Sequence, residues 1–201
     1  MTRSPRIYIT GASCAGVTTL GAALAARLSV PQFDVDAYYW LPTEPPFTQK
    51  RPPQERLRLI AADMAEAEKA KGRGWVLTGS FDGWGDALVE DIDLIAFVTT
   101  PTPLRMERLK ARERERFGDR IDPGGDMHEI HVAFADWASR YDEPGFSGRN
   151  RARHEAWLVA QTAPVLRLDG SRSVEELVEG VVGQFRVPEG ARTVSRYPNT
   201  R

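Results

Sequence analysis

Gly11-Ala12-Ser13-Cys14-Ala15-Gly16-Val17-Thr18 is the stretch on which the reading of this chain turns. Its glycines and terminal threonine keep the spacing of the phosphate-loop pattern G-x-x-x-x-G-K-S/T. Ahead of it, Arg6-Ile7-Tyr8-Ile9-Thr10 is short, β-branched and aromatic, which predicts a buried strand running into a tight loop at Gly11. Behind it, Leu20, Ala23, Leu24 and Leu28 recur at three- and four-residue steps, the period of one helix face. In such a strand–loop–helix context the backbone N–H groups turn inward around phosphate oxygens, and the helix N-terminus adds the positive end of its dipole. Thr18 is then placed to hold Mg²⁺ through its hydroxyl. The pattern departs at Val17, where the lysine that reaches the terminal phosphates is replaced by a side chain with neither charge nor donor. Either another cation substitutes, or the site binds phosphate without efficient turnover.

Outward from the loop, Pro31 to Tyr39 reads as a second short strand carrying Asp34 and Asp36, followed by a proline-rich loop from Leu41 to Pro53. Leu57, Ile60, Ala61, Met64 and Ala65 predict a helix that starts after Pro52-Pro53 and ends near Gly72 to Gly74. Trp75-Val76-Leu77-Thr78 and Leu94-Ile95-Ala96-Phe97-Val98 are apolar runs of strand length, as expected when helices cover both faces of a sheet. A charged helix is predicted between Pro101 and Arg120. Met127, Ile130, Phe134, Trp137, Ala138 and Tyr141 form a helical stripe read as core rather than as a cofactor-binding face. A helix over Asn150 to Gln161, a strand at Val165 to Leu168 and a helix from Val174 to Phe185 complete the pattern. Strands alternating with helices predict an α/β fold of three layers, with a parallel five-stranded sheet and ligands at the carboxyl ends of its strands. With 201 residues, 41% of them hydrophobic, the expectation is one domain over residues 1–187 and a loose polar tail over 188–201.

With these features in place, the chain to about Phe185 resembles the adenylate-kinase-like P-loop kinases, and in particular bacterial members whose loop lysine is also replaced. The resemblance implies ATP and Mg²⁺ as cofactors, a small Arg-rich mobile lid within about residues 112–150, and a small-molecule phosphoryl acceptor. That acceptor would be a nucleotide, a nucleoside or a small hydroxylated metabolite. Residues Gly11 to Thr19 match the nucleotide-binding loop. Asp34 and Asp36 match the acidic pair that touches metal or acceptor in the shikimate and gluconate types, which makes Asp34 a second metal candidate beside Thr18. Leu77-Thr78-Gly79-Ser80 resembles the third-strand end where nucleotide kinases often carry an aspartate, a place here taken by Thr78.

Read without the family, two carboxylates two residues apart in an extended segment point to one side and repel unless a cation or donors lie between them. One of them could act as base toward an acceptor hydroxyl; the plainer alternative is a helix cap or solvated turn before Ala37. Arg105 to Arg120 holds seven basic and four acidic side chains, and Arg149, Arg151 and Arg153 form a second basic cluster. Either is a solvated face or a source of guanidinium groups that close over phosphate. Arg112, Arg116 and Arg151 are the candidates to replace the missing lysine. Tyr38, Tyr39, Trp40 and Trp84 either line an acceptor pocket, with Asp82 and Asp86 nearby, or pack among themselves. Cys14 is read as inert. His128 and His131, three apart with no third ligand in reach, do not make a zinc site.

The formal net charge is −1, and the basic clusters are interleaved with acids, which argues against nucleic acid as a partner. No apolar stretch reaches the roughly 20 residues that span a bilayer. The single cysteine allows no intrachain disulfide and agrees with a cytoplasmic setting. Two rivals to the kinase reading remain, an ATP-binding sensor without turnover and a nucleoside triphosphate hydrolase.

Overall fold

The structure is a computed structural model that describes residues 4–69, 74–81, 84–88 and 91–185. The expected tail over 188–201, the helix stop at Gly72 and the loop residue Asp82 lie outside the described residues. Five strands, β1 (Arg6–Gly11), β2 (Gln32–Asp34), β3 (Trp75–Thr78), β4 (Leu94–Thr99) and β5 (Val165–Asp169), form one sheet in the order β2-β3-β1-β4-β5. Every pairing is parallel. The helices are α1 (Val17–Leu28), α2 (Val35–Tyr39), α3 (Pro53–Lys69), α4 (Thr102–Phe117), α5 (His128–Ser139), α6 (Arg151–Val159) and α7 (Val174–Gly183).

The period of two along each strand sorts the core into two halves. Ile7, Ile9, Val76, Leu94, Ala96 and Val98 pack on one face of the sheet with Leu20 and Leu24 of α1 and Val178 and Val181 of α7. Tyr8, Leu77, Ile95 and Phe97 pack on the other with Ile60 and Met64 of α3 and Leu158 of α6. This is the three-layer arrangement that the alternating pattern predicts. Local chemistry fixes the helix starts: Ser173 and Glu176 form a reciprocal capping box at α7, and Asn150 accepts from the Arg153 N–H at α6. The helix α5 packs against α4; of the stripe, Met127, Ala138 and Tyr141 are buried, while Ile130, Phe134 and Trp137 are half-buried.

One expectation is corrected. The segment from Pro31 to Tyr39 is not a single strand, because β2 ends at Asp34 and α2 begins at Val35. The Asp34 side chain accepts a hydrogen bond from the Asp36 N–H at 3.0 Å, so Asp34 is the N-cap and Asp36 lies in the first turn. Short polar side chains compete for backbone donors at helix starts, and that local bond wins over extension here.

Candidate active site

The loop Gly11 to Thr18 follows β1 at the center of the sheet and opens α1, at the carboxyl ends of the strands. A Cβ at Gly11 would collide with the Val98 carbonyl on β4, and Gly16 sits at φ 101°, a left-handed conformation that glycine adopts without strain. The Thr100 hydroxyl donates to Ala15 O at 3.0 Å. Arg105 is wholly buried and donates to Thr100 O, Ala138 O, the Thr102 hydroxyl, the Asp142 carboxylate and, at 3.5 Å, Ser13 O. Its donors are committed to holding the loop from outside. Val17 is buried within the α1 side of the core, so position 17 fills space and offers no charge.

At the far end of the loop the Thr18 hydroxyl donates to Asp34 Oδ2 at 3.1 Å. A hydroxyl and a carboxylate are thereby brought together, and this all-oxygen donor pair suits a hard cation that keeps phosphate and water as its other ligands. Thr78 does not join them. Its buried hydroxyl donates to Phe33 O and accepts from Gln32 Nε2, which also donates to Thr18 O. Asp36 is held above the ordinary carboxylate range, first by the desolvating walls around it and then by the neighbouring Asp34 charge. The charges of Arg149, Arg112 and Arg116 pull in the opposite direction.

The arginines differ in what they touch. Arg149 Nη2 donates to Ser13 Oγ at 2.8 Å. Arg112 pairs with the buried Glu113 at 3.0 Å, and the Nε atoms of both Arg112 and Arg149 are buried without a hydrogen-bond partner. Buried donors left open are rare in folded proteins and fit a site built for an anion. Arg116 is exposed on α4. Arg151 bonds Asp142 at 2.7 Å. Arg108 donates to Gly170 O at 3.0 Å and lies beside Gly16; like Arg105, it went unread within a charged helix. The Cys14 thiol is pushed up mainly by burial, against the pull of Arg112 and Arg105, which keeps it protonated and unreactive at neutral pH.

A family model described as an AAA domain matches residues 7–129 of the chain. The chain belongs to that family. Among curated relatives, "Uncharacterized protein YqaC" of Bacillus subtilis (strain 168) is 42% identical over 176 residues, covering 88% of this chain and 94% of that protein. Two solved structures share the architecture. A sugar kinase from Janibacter sp. HTCC2649 superposes with a TM-score of 0.55 at 16% identity, covering 90% of this chain and 94% of its own. Shikimate kinase from Bacteroides thetaiotaomicron does so with a TM-score of 0.52 at 19% identity, covering 90% and 98%. At these identities the likeness shows the fold, and this AAA-domain chain has a P-loop kinase fold.

Beside Asp36 lies a recess of about 340 Å³, lined by Asp36, Trp40, Leu41, Pro42, Phe47 and Arg51 among others. The aromatic group read from the sequence divides here. Trp40 faces the recess, while Tyr39 carries the Arg56 guanidinium 3.8 Å above its ring, Trp84 stacks on Phe81 and Tyr38 donates to Asp63. Asp86 accepts from the Trp157 indole at 2.9 Å. Next to the recess residues in sequence, Glu44 pairs with Arg120, which also pairs with Asp126, and Phe47, which lines the recess, makes an edge contact with Phe117. His128 bonds Ile121 O and His131 faces Glu113 at 3.8 Å. Among the described residues no three His, Cys, Asp or Glu side chains converge as a metal cage, and no helix is long and apolar enough to cross a membrane.

Proposed function

We propose that this chain is an ATP-dependent phosphotransferase acting on a nucleotide, a nucleoside or a small hydroxylated metabolite. The observation that carries the reading is the Thr18–Asp34 hydrogen bond of 3.1 Å. It joins the end of the phosphate loop to the acidic pair at the carboxyl end of β2, in front of a group of arginines.

In this reading the loop amides from Gly11 to Thr19 cradle the triphosphate, and Thr18 with Asp34 holds Mg²⁺. The metal, when bound, supplies neutralisation of phosphate charge. Asp36 accepts the proton of the acceptor hydroxyl. Its raised pKa supports that role, since a base works best when its pKa approaches the operating pH. The recess beside Trp40 receives the acceptor body. Arg112 and Arg116, from a lid spanning about residues 112–150, bring positive charge to the phosphates, and Arg151 would join them on release from Asp142. The two fold neighbors carry sugar kinase and shikimate kinase as their names, which supports a hydroxylated acceptor.

A second reading is favoured by a specific observation. Val17 is packed into the core and Thr78 is bonded within the sheet, so two positions that elsewhere serve transfer serve folding here. An ATP-binding sensor would look like this. The test is ATP consumption with Mg²⁺ against nucleoside monophosphates, nucleosides and hydroxylated metabolites, with binding followed in parallel by calorimetry. Acceptor-dependent ADP formation is the expected result. Binding without turnover would replace it with the sensor, and equal ADP release with and without acceptors would make the chain a hydrolase.

A further inference from the structure

The missing lysine leaves a defined deficit, because a loop that holds a triphosphate through amides alone lacks a formal positive charge at the terminal phosphates. Each nearby arginine can be judged by what its guanidinium already holds. Arg105 is saturated by five partners. Arg108 is bonded to Gly170 O. Arg112 and Arg151 are paired with Glu113 and Asp142. Arg116 is exposed and makes no bond to the loop. Arg149 alone bonds a loop side chain, Ser13 Oγ. Among the described residues it has no carboxylate partner, and its buried Nε has no acceptor.

Its position is also fixed in advance. The guanidinium lies over the Trp137 ring, 5.1 Å from its centroid. Asn150, the next residue, is 4% exposed and ties down the backbone on both sides, donating to Phe146 O and Gly148 O and accepting from the Arg153 N–H. A side chain set in this way loses little freedom on binding an anion.

We infer that Arg149 replaces the absent loop lysine, bringing to the terminal phosphates of a nucleoside triphosphate a positive charge that no salt bridge among the described residues ties down. The inference rests on the proposed nucleotide site. It predicts that a lysine placed at position 17 offsets the loss of Arg149, because both would serve the same terminal phosphates beside the charge that Arg112 and Arg116 bring.

The experiment is calorimetric affinity for ATP and for ADP, each with Mg²⁺, in the wild-type chain, Arg149→Met, Val17→Lys and the double variant. Arg149→Met keeps an unbranched stem without the charge, and thermal melting checks that the variants are folded. Arg149→Met is expected to weaken ATP binding by about 10- to 100-fold, the scale of a hydrogen bond to a charged group, and ADP binding by clearly less. Adding Val17→Lys should restore most of that loss, while Val17→Lys in the presence of Arg149 should gain little. Arg149→Lys should stay near wild type. ATP affinity of Arg149→Met within about 2-fold of wild type, well below the expected loss, would overturn the inference. So would an equal gain from Val17→Lys in both backgrounds, since independent sites add. A wild-type chain that binds neither nucleotide would overturn the nucleotide site itself and this inference with it. Wild-type binding that Arg149→Met leaves intact would overturn this inference alone.

Discussion

Ser13 is held by two arginines that differ in every other respect. Arg105 reaches its carbonyl from a wholly buried position and bonds four further groups, whereas Arg149 reaches its hydroxyl and leaves a buried Nε open. The same division separates Asp142, which receives bonds from Thr102, Arg105 and Arg151, from Asp36, whose carboxylate feels the charges of three arginines and, among the described residues, accepts no hydrogen bond from them. A polar network that is fully satisfied acts as structure, since each member would be costly to strand. Groups held close without satisfaction raise the energy of the free state and are expected where a ligand completes them.

The largest effect that tests this contrast is on Arg105. Arg105→Met should lower unfolding stability by about 3–5 kcal/mol, because it leaves the Ser13, Thr100 and Ala138 carbonyls without their buried donor. Arg149→Met should leave stability nearly unchanged. Chemical denaturation of both variants checks it, and a similar loss in both would erase the distinction between an anchoring and a ligand-directed arginine. Next in size is the acidic end of the loop. Asp34→Asn should reduce phosphoryl transfer by about 10²- to 10³-fold, the usual scale for losing one preorganised electrostatic partner, and should raise the Mg²⁺ concentration needed for half-maximal rate. An unchanged Mg²⁺ requirement would move the metal away from Thr18 and Asp34.

Much of the fold could be read because strand runs, helix periods and the glycine spacing are local signals. The central sheet, the loop and α1 all follow from residues 6–28 and the apolar runs at 75 and 94. What could not be read is where individual polar side chains end up. Asp34 and Asp36 differ in role because one short hydrogen bond starts α2 one residue after Asp34. Among the clustered arginines at 149, 151 and 153, orientation depends on Asn150 being the helix cap. That choice sends Arg149 back to Ser13 and Arg151 outward to Asp142. Arg105 was hidden for a related reason, since a basic residue in a charged helix reads as solvated, and only the tertiary arrangement buries it against the loop.

The smallest effect is also the one in which the two acids oppose each other in sign. Asp36 has a folded-state pKa above its ordinary value, from desolvation and the Asp34 charge. Between those two values the native chain binds more protons than the unfolded one, so stability falls as pH rises through that window and stays reduced above it. Asp142 is the reverse. Partial burial pushes it up, but the hydrogen bonds from Thr102 and Arg151 and the Arg151 and Arg105 charges bring it below its ordinary value. Its stabilising contribution is present above the ordinary carboxylate pKa and is lost as pH falls toward the depressed one. Melting temperatures at neutral pH should therefore rise by about 1–4 °C in Asp36→Asn and fall by a similar or larger amount in Asp142→Asn. The Asp36 difference should close as pH falls through its raised pKa toward about 4, whereas the Asp142 difference should close only below about 4, where ordinary carboxylates take up protons. A melting temperature that drops in Asp36→Asn at neutral pH would place that carboxylate in the satisfied network with Asp142, and it would then no longer be a base held open for an acceptor.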